Sequence, residues 1–352
     1  MKAVVLDKIA SVTRNCTLRR DARLGSDIHC NEGDVLAVRI LNNKSSYNQL
    51  ELPSGRMSTL KAGDVIAGAL GHRNALLGYA GVIPSSLAVG DTIQLLNLGG
   101  VLGTCTAYSP AVGKPFECEV LGQVLEFPVL QSRKGVPANI ARVVGPLDEG
   151  LDVGEVPIIG VIGTCMNSGK TEACLAIIQQ FVRRGLNVMA AKATGVSLRR
   201  DILAMEDAGA SRTMIFTDLG IVTTSRSNGL GSARTMLNRL AADRPDVIVL
   251  ELGDGLLGEY GVDSILADPS LRKAFRGTVL AAGDPVGAWG GVELLQARYD
   301  LCPHVITGPA TDNESGTKIL TRETGISGVN ARQNPAELAN AVINRMELAR
   351  AI

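Results

Sequence analysis

Aromatic residues are scarce in this chain: one Trp, five Tyr and five Phe make up 3% of 352 residues. A surface that binds nucleic acid by stacking bases needs more of them. Charge of either sign in excess is also lacking. Lys plus Arg and Asp plus Glu number 35 each, so there is no overall basic field to hold nucleic acid or an anionic membrane. Only three histidines occur (His29, His72, His304), and no two of the seven cysteines form a CxxC pair. This excludes both a zinc site and a disulfide framework, and reduced thiols in a cytoplasmic protein are the expectation. No stretch reaches the ~20 apolar residues needed to span a bilayer, and the N-terminus lacks the apolar run of a signal peptide. A cytoplasmic protein with neither nucleic-acid nor membrane partners is expected.

What is present is ordinary for a folded protein, with 45% apolar and 20% charged residues. A length of 352 residues predicts two domains. The halves differ. From 1 to 150 the chain shows short alternating or β-branched runs between turn residues, at 34–41, 49–52, 65–70, 92–96, 102–108 and 119–125. Three runs follow a Gly-Asp pair, Gly33-Asp34, Gly63-Asp64 and Gly90-Asp91, spaced 30 and 27 residues apart. This predicts a β-rich barrel or sandwich domain that recognises substrate or a partner. After a polar linker near 146–154, the residues 151–352 alternate strands and amphipathic helices. The strands are expected at 156–162, 187–193, 212–217, 246–252, 277–282, 304–307 and 326–329, and the helices at 170–184, 232–242, 286–299, 314–323 and 335–350. Such alternation predicts an α/β domain, a parallel sheet with helices on both faces.

The first strand of that domain runs into Gly163, Thr164, Cys165, Met166, Asn167, Ser168, Gly169, Lys170 and Thr171, after which a helix opens. Strand, Gly-bounded loop and helix N-terminus together form a P-loop phosphate cradle. Backbone N–H groups point at the anion, Lys170 reaches the β and γ phosphates, and the Thr171 hydroxyl takes Mg²⁺. The usual pattern places its first Gly where Thr164 stands; here that Gly is one residue earlier. Lys192 ends the second strand, where open α/β sheets place ligands. It suits phosphoryl transfer or a substrate carboxylate, with a solvated strand-end lysine as the alternative. Glu251 ends the run Val-Ile-Val-Leu and can hold Mg²⁺, with Asp254 as competitor and Asp201 or Asp207 as a further ligand. Arg199 and Arg200 suit an anionic substrate group. Asn313, with Asp312, follows the sixth strand, where a nucleotide base is read. The polar stretch 225–232 is expected as a loop or lid.

The displaced Gly163 resembles the P-loop of dethiobiotin synthetase and its relatives. Gly185-Leu-Asn-Val-Met-Ala-Ala-Lys192-Ala-Thr194-Gly195 resembles that family's second strand, and Glu251-Leu-Gly253-Asp-Gly255 its Glu-Gly-x-Gly strand end, one residue longer. The likeness spans about 156–330. It implies an Mg-ATP-dependent enzyme, often dimeric, that phosphorylates a carboxylate or carbamate of a small molecule. Lys170, Lys192 and Glu251 would be catalytic, and Thr194, Gly195, Arg199 and Arg200 would lie against the substrate. The chain is also similar to a poorly characterised bacterial family that includes D-amino-acid N-acetyltransferases, through Thr194-Gly195-Val196 and Asp207-Ala-Gly209-Ala. That likeness implies an acyltransferase whose P-loop holds a coenzyme A phosphate. A nucleotide-switch ATPase or GTPase acting on a protein partner is the first alternative to the phosphoryl-transfer enzyme, ahead of the acyltransferase.

Overall fold

The computed structural model describes residues 1–75, 77–129 and 134–350. The chain divides into two compact units. The first holds Met1–Gly145 together with Val196–Arg200 and Phe216–Thr223, and the second holds Pro146–Gly195, Asp201–Ile215 and Thr224–Ile352. The expected division at 150 lies close to the break after Gly145, but two short stretches from the later half belong to the first unit.

Five strands of the first unit close into a barrel. They are β1 (Val35–Ile40), β2 (Val65–Leu70), β3 (Thr92–Leu95), β4 (Val101–Tyr108) and β5 (Phe116–Glu126). β1 pairs with β2, β2 with β4, β4 with β3, β3 with β5, and β5 returns to β1. Only the β2–β4 pair is parallel. Closure removes the barrel's own free edges. The fully buried Leu36, Val38, Ile66, Ile93, Leu102 and Val120 belong to the core. The long β5 serves several partners because a bulge between Val120 and Gly122 bends it.

The three Gly-Asp pairs are one turn used three times. Gly33, Gly63 and Gly90 take φ of 83°, 94° and 97°, a region that favours glycine. The following aspartate accepts the backbone N–H three residues back: Asn31 to Asp34 at 3.0 Å, Lys61 to Asp64 at 2.7 Å and Ala88 to Asp91 at 2.8 Å. A barrel strand begins at the next residue each time.

The stretches 196–200 and 216–223 are built into this unit. Val222 is fully buried in its core. Ser197 donates its N–H to the Val222 carbonyl at 2.9 Å, and Asn97 Nδ2 donates to the Ser197 carbonyl at 2.7 Å. The buried Glu51 carboxylate accepts the N–H of Arg199 at 2.7 Å and of Arg200 at 2.8 Å.

The second unit is a six-stranded parallel sheet. Its strands are β6 (Ile158–Gly163), β7 (Val188–Lys192), β8 (Arg212–Ile215), β9 (Val247–Glu251), β10 (Phe275–Ala281) and β11 (Val305–Thr307), ordered β8-β7-β9-β6-β10-β11. The near-continuous burial of β6 and β9 is what a sheet covered on both faces requires. The expected strand at 326–329 is a single parallel bridge, Ile306 with Gly328, because β11 itself is only three residues long. The helices are α1 (Lys170–Arg183), α2 (Arg200–Asp207), α3 (Gly229–Ala241), α4 (Val262–Ala267), α5 (Pro269–Ala274), α6 (Pro285–Tyr299), α7 (Glu314–Thr324) and α8 (Pro335–Arg350). The short α2, α4 and α5 were not among the expected helices. In the stretch 225–232, expected as a loop or lid, residues 225–228 form a turn in which Asn228 Oδ1 accepts the Ser225 N–H at 2.7 Å, and α3 begins at Gly229.

Candidate functional site

The apolar β6 ends at Gly163, the chain turns through 164–169, and α1 opens at Lys170. Thr164 N–H donates to the Ala281 carbonyl of β10 at 3.0 Å, so the loop leaves the sheet one residue beyond the strand. Asn167 and Gly169 both take positive φ, 58° and 95°. No side chain caps the N-terminus of α1. The first N–H groups of a helix have no intrahelical acceptor, so this terminus carries the donors and dipole that suit a phosphate.

The displaced glycine has a physical reason. A Cβ at Gly163 would lie 2.6 Å from Lys170 Cδ and 2.5 Å from Ser168 Oγ. The lysine stem therefore occupies the space that a side chain at 163 would fill. Lys170 Nζ donates to the carbonyls of Cys165 at 2.8 Å and Asp254 at 2.6 Å, and to Ser168 Oγ at 3.4 Å. Burial lowers its pKa below the ordinary lysine value, the nearby Glu251 opposes that shift and Lys192 adds to it.

Four side chains converge beside the loop. Thr171, the second residue of α1, donates its hydroxyl to Glu251 Oε2 at 3.1 Å. Glu251, at the end of β9, is 1% exposed. The other oxygen of that carboxylate lies 3.6 Å from Nζ of Lys192, which ends the neighbouring β7 in register with Glu251. Lys192 also forms an ion pair with Asp201 in the first turn of α2. Asp201, expected as a further metal ligand, is engaged here by Lys192. The turn after Glu251 packs on the loop: a Cβ at Gly255 would stand 2.7 Å from the Thr164 carbonyl oxygen and 2.8 Å from Cys165 Cα.

The remaining candidates have other partners. Asp254 enters through its backbone carbonyl, which accepts from Lys170. Thr194 donates its buried hydroxyl to the Gly253 carbonyl at 2.6 Å, and Gly195 donates its N–H to Thr224 Oγ1 at 2.8 Å. Arg199 donates its guanidinium to the Pro53 carbonyl, and its N–H and that of Arg200 go to Glu51. The Asn313 carboxamide caps α7 by accepting the Gly316 N–H at 2.9 Å, and Asp312 accepts from Asn330 at 2.9 Å. Asp207, at the far end of α2, lines a groove with Glu172, Gln179 and Arg332. Within the loop Cys165 and Asn167 are exposed, Met166 is partly covered and Ser168 is buried.

No protein-family model matches the chain, and no curated protein matches it. Among solved structures it is similar to an LAO/AO transport system kinase, at 20% identity over 56% of this chain and 61% of that one, TM-score 0.38. It is similar to the signal recognition particle receptor FtsY from Elizabethkingia anophelis, at 15% identity over 53% of this chain and 65% of that one, TM-score 0.38. A third is the signal recognition particle 54 kDa protein from Aeropyrum pernix K1 in complex with GDP, at 17% identity over 56% and 50%, TM-score 0.37. The chain thus spans 50–65% of the length of these proteins. At such identities and TM-scores the likeness goes no further than the α/β layout, which the strand order already establishes. No helix among the described residues is long and apolar enough to cross a membrane.

Proposed function

We propose that the loop at 163–171 binds a nucleoside triphosphate with Mg²⁺, ATP in the leading reading. The γ-phosphoryl group is passed to a carboxylate- or carbamate-type oxygen of a small molecule. The observation that supports this most is the joining of the Thr171 hydroxyl to the Glu251 carboxylate at 3.1 Å, directly after Lys170. These are two hard oxygen donors side by side. Among the described residues no group of three or more His, Cys, Asp or Glu could form an all-protein cage. Mg²⁺ takes one or two protein oxygens and completes its shell with water and phosphate oxygens, so the pair fits it. When bound, Mg²⁺ neutralises charge on the β and γ phosphates.

The chain's own groups do the rest. The N-terminus of α1 donates N–H groups to the phosphates. Lys170 exchanges its carbonyl acceptors for phosphate oxygens, and that contact is charge-assisted and stronger. Lys192 brings a second cation to the same edge of the sheet, where charge builds on the transferred group. The dethiobiotin-synthetase resemblance supports the acceptor class.

Thermal shift with Mg-ATP, Mg-GTP and coenzyme A tests the reading, because a ligand that binds only the folded state raises apparent stability. A nucleotide triphosphate should stabilise the wild type, and Lys170→Ala should abolish the shift. Stabilisation by coenzyme A alone, or unchanged nucleotide binding in Lys170→Ala, would overturn it. A nucleotide-switch reading draws on the two stretches after β7 and β8 that belong to the barrel unit. Turnover stimulated by a protein rather than by a small carboxylic acid would favour that reading.

A further inference from the structure

We propose that Asp201 is a positioning residue that keeps Lys192 from collapsing onto Glu251; this rests on the phosphoryl-transfer reading above. Lys192 lies between two carboxylates. It is in an ion pair with Asp201, while Glu251 Oε1 stands off at 3.6 Å. All three side chains are largely buried, with 13%, 16% and 2% of Lys192, Asp201 and Glu251 exposed. Attraction between such charges is weakly screened, so the geometry of the ammonium depends on which carboxylate holds it.

Asp201 has the stronger hold. Its place in the first turn of α2 suits a carboxylate, since the helix dipole favours negative charge there. With Lys192 drawn toward Asp201, Glu251 can point Oε2 at the Thr171 hydroxyl, 3.1 Å away. Without Asp201, Glu251 remains an anion within 3.6 Å of Lys192, already in register on the next strand. A closed Lys192–Glu251 pair would neutralise the carboxylate and divert the ammonium from phosphate at once. Asp201 thus acts through Lys192, with no contact of its own to substrate.

The readout is the ratio of affinities for the triphosphate analogue ATPγS and for ADP, each with Mg²⁺, measured by calorimetry on the full chain. If thermal shift shows a preference for GTP, the guanine pair replaces it. Asp201→Asn should lower that ratio about tenfold, the scale of losing a supporting partner of a site residue. ADP affinity should fall less than that of ATPγS, because only the triphosphate loses the contact with Lys192 as well, and an unchanged melting temperature shows an intact fold. Asp201→Glu should recover part of the ratio. Lys192→Met should show a loss at least as large, and adding Asp201→Asn to it should change the ratio less than twofold.

An additive loss in the double variant would overturn the inference. So would an equal loss of ADP affinity, or a rise in triphosphate affinity when Asp201 is removed. In those cases Lys170→Ala would still abolish nucleotide binding, leaving the phosphate-binding reading in place. A wild type that binds neither nucleotide would overturn both.

Discussion

Gly255→Ala adds one methyl group to a residue that the reading assigns no contact with nucleotide, yet it should impair nucleotide binding. The new Cβ would meet the Thr164 carbonyl oxygen at 2.7 Å and Cys165 Cα at 2.8 Å. Ordinary contact begins near 3.4 Å, so one side must give by about 0.7 Å. Both neighbours are backbone atoms of the phosphate loop, so no flexible side-chain end can absorb the displacement. Gly255 is not among the glycines with positive φ, so contact rather than backbone strain is tested. Overpacking of this kind costs about 1–3 kcal/mol. That lowers the melting temperature by about 2–12 °C in a domain of this size. A misplacement of 1 Å costs about a hundredfold in a positioned site, so nucleotide affinity or turnover should fall about 10- to 100-fold. Gly290→Ala is the control. It lies inside α6 with nothing within 4 Å of its added Cβ, so it should stabilise by about 0.5–1 kcal/mol. Calorimetric titration with Mg-nucleotide and a melting scan read both. Wild-type affinity and melting temperature in Gly255→Ala would refute the packing of the Glu251 turn on the loop.

Glu51→Ala leaves the N–H groups of Arg199 and Arg200 without their buried acceptor; at about 1–3 kcal/mol each the loss is about 2–6 kcal/mol, visible in urea unfolding, with a smaller loss for Glu51→Gln. Because burial lowers the Lys170 pKa, the folded state binds fewer protons there than the unfolded chain between that lowered pKa and 10.5. The Lys170 contribution should therefore raise stability with pH across that window. Phosphate binding needs the charged ammonium, so nucleotide affinity should fall as pH rises through the same lowered pKa, and Lys170→Arg should remove that alkaline limb. Cys165 is exposed in the loop whereas Cys16, Cys118 and Cys174 are buried, with thiol pKa raised by that burial. N-ethylmaleimide should therefore label Cys165 and block nucleotide binding, and Mg-nucleotide should protect it; mass spectrometry of the labelled peptides checks this.

Much of the second unit was legible because its signals are local. The apolar runs that became β6 and β9 bury every residue, and Gly163 through Thr171 form one contiguous strand, loop and helix start. The barrel strands were legible as runs through their Gly-Asp turns, which are also local. Their closure was not, since it depends on β2 pairing with β4 across more than thirty residues. Lys192 and Glu251 were found because strand ends gather at one edge of a parallel sheet. Their connection to Asp201 was missed because α2 is only eight residues long and lacks a clear start signal. Asp268 before Pro269 was a helix start that went unread, and its Oδ1 accepts the Leu271 N–H at 2.9 Å. Arg199 suits an anion by its residue type and its place just after Gly195. Only the fold shows its guanidinium on the Pro53 carbonyl.

The barrel's dependence on residues 196–200 and 216–223 bears on how this chain can be divided. A gene cut near codon 150 would encode a first half without Val222, whose Cγ1 lies 2.3 Å from where a Cβ on Gly71 would stand. It would also lack the backbone groups that Glu51 and Asn97 hold. The two halves are therefore not interchangeable cassettes. Insertion or exchange of either must preserve three separate stretches of reading frame, and a recombination point at the apparent linker would leave one product missing part of its own core.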